Sequence, residues 1–387
     1  MAVGTSKLVP GERYSLKDAA GTGPKAHDLE GEMHMIDTKM TRRAFVGTIG
    51  AGAMAVLAGC GGGSSAGGEA PAADANVKVT MITDTGGVND QSFNQLSWAG
   101  MQQLGTDLGW DVSYIESKQD ADYMTNIDKA VDDGAQLIWG VGFAMGDAVN
   151  EAADANPDVQ FAIVDSTNNN GAANLTGVTF KQEECSFAVG YVAARMTTSG
   201  KVGFVGGINS EYMQPFEQGY YAGIEYANKE QGLSVTYTGQ WAESFGDAAK
   251  GKSIAQKMIQ DGADVLYHAA GGTGNGMIEA CAEAGVYAIG VDMDQAHLAP
   301  ESVITSALKK VDQAIYQISQ QLISGELAGG SNIVMGAAED AVGIAPTHDL
   351  LPDDVYNAAL EVIEKIKAGE IVVPTNADEL ATFKASL

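Results

Sequence analysis

Basic residues are scarce in this chain: 22 Lys and Arg stand against 50 Asp and Glu, a formal net charge of −28 at pH 7. A surface of that sign repels nucleic acid and anionic lipid headgroups, and it argues against a polyanionic ligand unless a local basic pocket receives it. Cysteine is scarce as well. Of the three, Cys185 and Cys281 lie in apolar helical patterns that favour buried free thiols, with a disulfide between them as the other reading. His268 and His297 stand alone, with no HExxH and no His/Cys cluster, so no metal site is expected. There is no GxxxxGK[ST], and GGTGNG at 271–276 lacks the third glycine in the register of GxGxxG. Neither phosphate cradle is therefore present, and no cofactor is expected. The glycine run reads instead as a helix start packed close against a crevice. Long apolar stretches are also missing: the run at 44–57 is too short for the roughly 30 Å hydrocarbon core, which takes about 20 helical residues.

That short run belongs to a segment that does carry information. Residues 41–60 read TRRAFVGTIGAGAMAVLAGC. Arg42 and Arg43 followed by Phe45 resemble a twin-arginine export motif, and Leu57-Ala58-Gly59-Cys60 resembles the lipobox of bacterial lipoproteins. On this reading 40–59 is a signal peptide, and Cys60 becomes the lipid-modified first residue of the mature protein. Firm anchoring then implies more than one acyl chain on it. The alternatives are an ordinary charged n-region on the general secretory route and an incidental cysteine. Residues 1–39 are polar, Gly-rich and aperiodic; they are expected to be a non-native leader or a mis-assigned start, with Met33, Met35 or Met40 as the initiator. Removing 1–59 leaves 15 basic and 44 acidic residues, a mature charge of −29. Residues 61–76, GGGSSAGGEAPAADAN, form a flexible tether whose root-mean-square reach is roughly 20–24 Å.

From residue 77 the pattern changes to short β-branched runs alternating with longer amphipathic segments. Strands are expected at 78–83, 112–116, 137–139, 161–164, 202–205, 235–238, 265–267, 287–291 and 303–306, with helices at 92–108, 124–132, 185–196, 216–228, 249–259 and 277–284. Such alternation implies parallel sheets with right-handed crossovers. The pattern restarts near Lys201, which suggests two similar α/β lobes; a (β/α)₈ barrel is the competing architecture.

In open parallel sheets the ligand crevice lies beyond the carboxyl ends of the strands. After Thr83 comes DTGGVNDQSFNQ, in which Asn89 or Asp90 can cap the following helix and Phe93 and Asn94 occupy its first turn. Gly142-Phe143 follows the third strand and Asp165 the fourth. Ser244-Phe245-Gly246-Asp247, Asp292-Met293-Asp294-Gln295 and Lys309-Lys310 follow later strands. Each has a bland reading as turn, cap or core. Together they form the inventory for a polar ring held by stacking, about 1–3 kcal/mol per base, and a polyol held by charged groups, roughly 1.5–3 kcal/mol per hydrogen bond. Asp90, Asp165 and Asp292 could alternatively belong to a glycosidase or nucleoside hydrolase.

The export signal with its lipobox, GGVNDQSFNQ at 86–95, GVDMDQ at 290–295 and TSALK at 305–309 resemble the basic membrane protein family of substrate-binding lipoproteins, whose purine nucleoside receptors serve ABC importers. The resemblance covers residues 77 to about 368. It implies a type I periplasmic-binding-protein fold, with two Rossmann-like lobes joined by three hinge segments and the ligand enclosed between them. The first lobe is expected at 77–182 and about 306–335, the second at about 183–305 and 336–372, and a tail at 373–387. The resemblance further implies that Asn89, Asp90 and Asn94 hydrogen-bond the base with Phe93 close by, that Phe245 stacks on it, and that Asp292 and Lys309 hold the ribose. Phe143 and Asp165 complete the expected set. Residues 206–216, GGINSEYMQPF, follow the family pattern more loosely, and none there is assigned.

The expectation is thus a non-enzymatic receptor, lipid-anchored at the cell membrane and facing outward, that hands a nucleoside to permease and ATPase subunits. A receptor for another small polar solute such as a sugar, or a signalling lipoprotein without an importer, is the alternative.

Overall fold

The computed structural model describes residues 77–387; Cys60, the signal segment and the tether lie outside them. In chain order the first half comprises β1 (Lys78–Thr83), α1 (Phe93–Leu108), β2 (Asp111–Ile115), α2 (Asp122–Asp132), β3 (Leu137–Val141), α3 (Gly146–Ala155), β4 (Gln160–Val164) and β5 (Leu175–Phe180). There follow α4 (Gln182–Met196), β6 (Lys201–Gly206), α5 (Gln214–Gln231), β7 (Thr236–Trp241), α6 (Ala248–Gln260), β8 (Val265–Ala269), α7 (Gly272–Ala284), β9 (Tyr287–Asp292) and β10 (Val303–Lys309). The chain ends with α8 (Val311–Ser324), β11 (Asn332–Met335), β12 (Val342–Ile344), α9 (Asp353–Lys367) and α10 (Ala377–Ser386).

Two separate six-stranded sheets result, ordered β11-β5-β4-β3-β1-β2 and β12-β10-β9-β8-β6-β7. Read from the opposite edge, each runs second, first, third, fourth, fifth, the doubly wound order whose switch point lies between the first and third strands. Two open sheets exclude the barrel. All pairings are parallel except β10 with β12. The central strands, such as β3 (LIWGV) and β8 (VLYHA), are buried throughout. That is why they read as continuous apolar runs rather than alternating ones. The edge strands β2 and β7 are largely exposed.

The chain passes between the sheets three times, at Lys181, Lys310 and Gly336. Two backbone bonds tie these passages together: Lys181 N–H donates to the Met335 carbonyl and Lys310 N–H to the Ala341 carbonyl, each at 2.9 Å. The second passage falls at Lys310 rather than near 306, because β10 runs on through Lys309 as a strand of the second sheet. Helix α8 then returns to the first lobe, where Ser319 Oγ accepts from Trp139 Nε1 of β3 at 2.9 Å. The tail forms α10, held to the second lobe by Lys384 Nζ on Glu225 of α5 at 2.6 Å.

Strands β5, β11 and β12 are additional to those read from the sequence. β5 carries a glycine at its centre, and the other two have four and three residues, too few for a period to register. Cys185 and Cys281 are free and buried, and burial pushes the Cys281 thiol up to about 12. Among the described residues no helix is long and apolar enough to cross a membrane.

Candidate functional site

A cleft lies between the carboxyl ends of the two sheets and is lined from both lobes. On the first-lobe side, the turn after β1 is organised around two carboxylates. Asp90 accepts four hydrogen bonds: Ser92 N–H and Gln95 N–H on Oδ1 at 2.9 and 3.0 Å, and Asn94 N–H and Asn94 Nδ2 on Oδ2 at 2.9 and 3.1 Å. A carboxylate has about four acceptor sites, so Asp90 is saturated. It caps α1 from outside the helix and orients Asn94 and Phe93. The expectation that Asp90 bonds a base is corrected here, because no lone pair is left. Asn89 is corrected too: it is exposed and does not line the cleft.

Asp84, at the end of β1, was not among the expected site residues. Its Oδ1 accepts from Gly86 N–H and from Asn94 Nδ2, both at 2.8 Å, and the residue lines the cleft. Burial is the main cause that raises its pKa to about 6, with the charges of Asp90 and Asp165 adding to it and the bonds from Asn94 and Gly86 opposing. Asn94 gives both amide hydrogens to Asp84 and Asp90, and its buried Oδ1 has no partner.

Asp165 and Asp292 occupy matching places, at the ends of the fourth strand of each sheet, and both adopt the left-handed conformation, with φ of 61° and 65°. Asp tolerates that region better than most residues. Lys309 reaches across from β10: its Nζ donates to Asp165 Oδ2 at 2.5 Å. The ammonium lies 4.9, 5.2 and 5.6 Å from the ring centroids of Phe93, Phe180 and Phe216, within cation–π range. Asp292 accepts from Ser92 Oγ of the first lobe at 2.5 Å. Burial raises the Asp292 carboxyl to about 7, with Asp90 and Asp165 contributing, while Lys309 and Ser92 hold it down. Asp165 Oδ1 is buried without a partner.

The second lobe supplies most of the apolar wall. Phe245 sits in the turn between β7 and α6, and that turn is fixed to the start of α7. Thr273 Oγ1 donates to the Ser244 carbonyl at 2.9 Å and accepts from Asp247 N–H at 2.9 Å, while Thr273 N–H donates to the Phe245 carbonyl at 3.0 Å. Phe143 of the first lobe packs edge-on to Phe245, centroids 6.2 Å apart, and stacks on Tyr212 at 5.6 Å. Two further bonds join the lobes beside the cleft, from Asn275 Nδ2 to the Asp90 carbonyl (3.0 Å) and from Gln295 Nε2 to the Gln91 carbonyl (2.8 Å).

Of the nine expected ligand-binding residues, the structure brings Asp90, Phe93, Asn94, Phe143, Asp165, Phe245, Asp292 and Lys309 to the cleft and leaves out Asn89. It adds Asp84, Met213 and Phe216. Asp84 directly follows a strand and was open to the same reading that selected Asp165. Met213 and Phe216 lie in the loosely matching stretch 206–216. Among the described residues no group of His, Cys, Asp and Glu is placed to hold a metal ion.

Residues 77–377 match the family described as "ABC transporter substrate-binding protein PnrA-like". Among curated proteins, the chain is 37% identical to "Basic membrane protein A" of Borreliella burgdorferi over 85% of this chain and 95% of that one. It is 35% identical to the "ABC transporter nucleoside-binding protein BmpA" of Lactococcus lactis subsp. cremoris, over 85% of this chain and 98% of that one. Among solved structures, an ABC transporter solute-binding protein from Aeropyrum pernix superposes with a TM-score of 0.73 at 26% identity, covering 80% of this chain and 98% of that one. A sugar-binding protein from Bacillus halodurans shares the fold at a TM-score of 0.54 and 15% identity, covering 72% of this chain and 100% of that one.

Proposed function

The chain belongs to the PnrA-like family of ABC transporter substrate-binding proteins, and on that premise we propose that its ligand is a purine nucleoside, captured between the lobes and passed to a membrane permease. The observation that carries this reading is the division of the cleft. Phe143 and Phe245 pack against each other in one part, while Asp165, Asp292 and Lys309 gather charge elsewhere in the lining, with the Lys309 ammonium over the ring of Phe93. A nucleoside has the same two halves, a flat apolar base that stacks and a sugar whose vicinal hydroxyls bond to charged groups. The relative named for nucleoside binding, which matches along 85% of this chain, supports the same choice.

The protein acts by binding alone. Asp165 and Lys309 neutralise each other, and Asp90 is committed to a helix start. Closure is a shift in population between open and closed lobes, driven by a ligand that touches both. Lipidation of Cys60 would hold the receptor at the outer face of the membrane, with the tether giving it reach.

A thermal-shift screen of the mature protein against nucleosides, free bases and sugars tests the reading, since a ligand that binds only the folded state raises the melting temperature by mass action. Purine nucleosides are expected to raise it more than free bases, and sugars not at all. Stabilisation by a sugar alone would replace the nucleoside with a saccharide ligand.

A further inference from the structure

Around Asp84 and Asn94 the cleft lining offers acceptors and leaves no side-chain donor unused. Asn94 spends both its N–H groups on Asp84 and Asp90, and its Oδ1 is buried without a partner. Asp84 spends Oδ1 on two bonds, and among the described residues no hydrogen bond is made to Oδ2. Glycine at 142 leaves that oxygen uncovered: a Cβ there would lie 3.1 Å from it, and the φ of +117° suits glycine. Among the lining side chains, Lys309 is the one with N–H groups to spare, and its ammonium is paired with Asp165.

We infer that the site selects 6-oxopurine nucleosides, guanosine and inosine, over adenosine, with Asp84 and Asn94 reading the N1–H edge of the base. This rests on the nucleoside reading above. Guanine presents N1–H beside an exocyclic amine, two donors for the two acceptors. Hypoxanthine presents N1–H alone. Adenine presents an amine beside a bare N1, and that lone pair would meet the Asp84 carboxylate with no proton between them. A buried acceptor left without a donor is costly, so the mismatch costs affinity rather than being neutral. Burial lifts the Asp84 carboxyl only to about 6, so it is an acceptor at neutral pH and above.

Calorimetric titration of the mature protein with guanosine, inosine, adenosine and 1-methylguanosine tests this without any mutation. Guanosine is expected to bind about tenfold or more tighter than adenosine and 1-methylguanosine, with inosine between. Equal affinities for guanosine and adenosine, or undiminished binding of 1-methylguanosine, overturn the inference and leave the nucleoside reading standing. No binding of any nucleoside overturns both. The variant Asp84→Asn adds an independent arm. Its amide oxygen can keep the bonds from Asn94 and Gly86 while its nitrogen replaces Oδ2 and donates to adenine N1. The guanosine-to-adenosine ratio is expected to fall about tenfold or more, and an equal loss for both nucleosides would count against Asp84 as the reader.

Discussion

The two lobes share a strand order but not a chemistry. Each ends its fourth strand in a left-handed aspartate, Asp165 in one and Asp292 in the other. Elsewhere they diverge. The first strand of the first lobe ends in Asp84, and the helix after it is capped by Asp90, so this lobe presents carboxylates and an amide. The first strand of the second lobe ends in Gly206-Gly207, and the Trp241 and Phe245 rings fill the space that a Cβ at either position would need. At these equivalent strand ends the first lobe thus presents polar groups and the second a ring surface. A duplicated scaffold becomes an asymmetric site because small changes at equivalent strand ends decide whether charge or ring surface reaches the cleft. Lys309 joins the two halves: it lies on the last strand before the chain leaves the second lobe and pairs with the first lobe's aspartate.

That junction gives the largest expected effect. Lys309→Met leaves Asp165 and Asp292 buried without their cation, and removing one member of a buried pair typically costs about 3–5 kcal/mol. Urea denaturation of the ligand-free protein should show that loss, and Asp165→Asn in the same chain should recover part of it. A loss under about 1 kcal/mol would mean that the pair is worth no more than a surface bridge. Next comes the second lobe's own charge. Asp292→Ala is expected to cost about 2–3 kcal/mol of nucleoside binding, roughly 30- to 150-fold in affinity. Unchanged calorimetric affinity for every nucleoside the parent binds would remove Asp292 from the site. Smaller again is the apolar wall: Phe245→Leu should weaken a nucleoside by about 1–2 kcal/mol through lost stacking. If the variant binds the nucleoside as tightly as the parent does, Phe245 is cover rather than platform.

The same contrast explains what could be read from the sequence. The α/β alternation and the restart near Lys201 were legible because central parallel strands such as β3 and β8 are buried throughout and mostly apolar, and their helices are periodic. Most of the cleft residues were legible because strand ends are where such sheets place ligands. What the sequence did not disclose is how hydrogen bonds are shared out. Asn89, Asp90 and Asn94 are neighbours of similar polarity, yet one is exposed, one is saturated by three backbone N–H groups and the Asn94 amide, and one is left with a free oxygen. Asp84 went unassigned for the related reason that nothing local distinguishes a turn-forming aspartate from one whose second oxygen stays open. Met213 and Phe216 reach the cleft by way of the α5 start, and no motif announces that.

The smallest predicted effect separates the lobes by their protons. A carboxyl whose pKa is higher in the folded than in the unfolded chain keeps a proton that the unfolded chain has released. Its stabilising contribution is therefore complete below the unfolded value and is lost as pH rises through the folded one. Asp292 is raised from 3.8 to about 7 and Glu183 from 4.5 to about 7, both chiefly by burial. Asp84, in the first lobe, reaches only about 6. His268 works the other way: burial lowers it from 6.5 to about 4, so below its ordinary value it favours the unfolded chain. Between about pH 8 and pH 6.5 the second lobe's groups dominate, and the ligand-free protein should gain stability as pH falls, by under about 1 kcal/mol per group. Burial sets the Asp292 value together with the facing groups Lys309, Ser92, Asp90 and Asp165, so Asp292→Asn should flatten part of the melting-temperature profile over that range and leave the share due to Glu183 and the other buried carboxyls. Asp84→Asn should leave the upper part of the range nearly unchanged. A profile that keeps its full slope in Asp292→Asn would place the titration elsewhere.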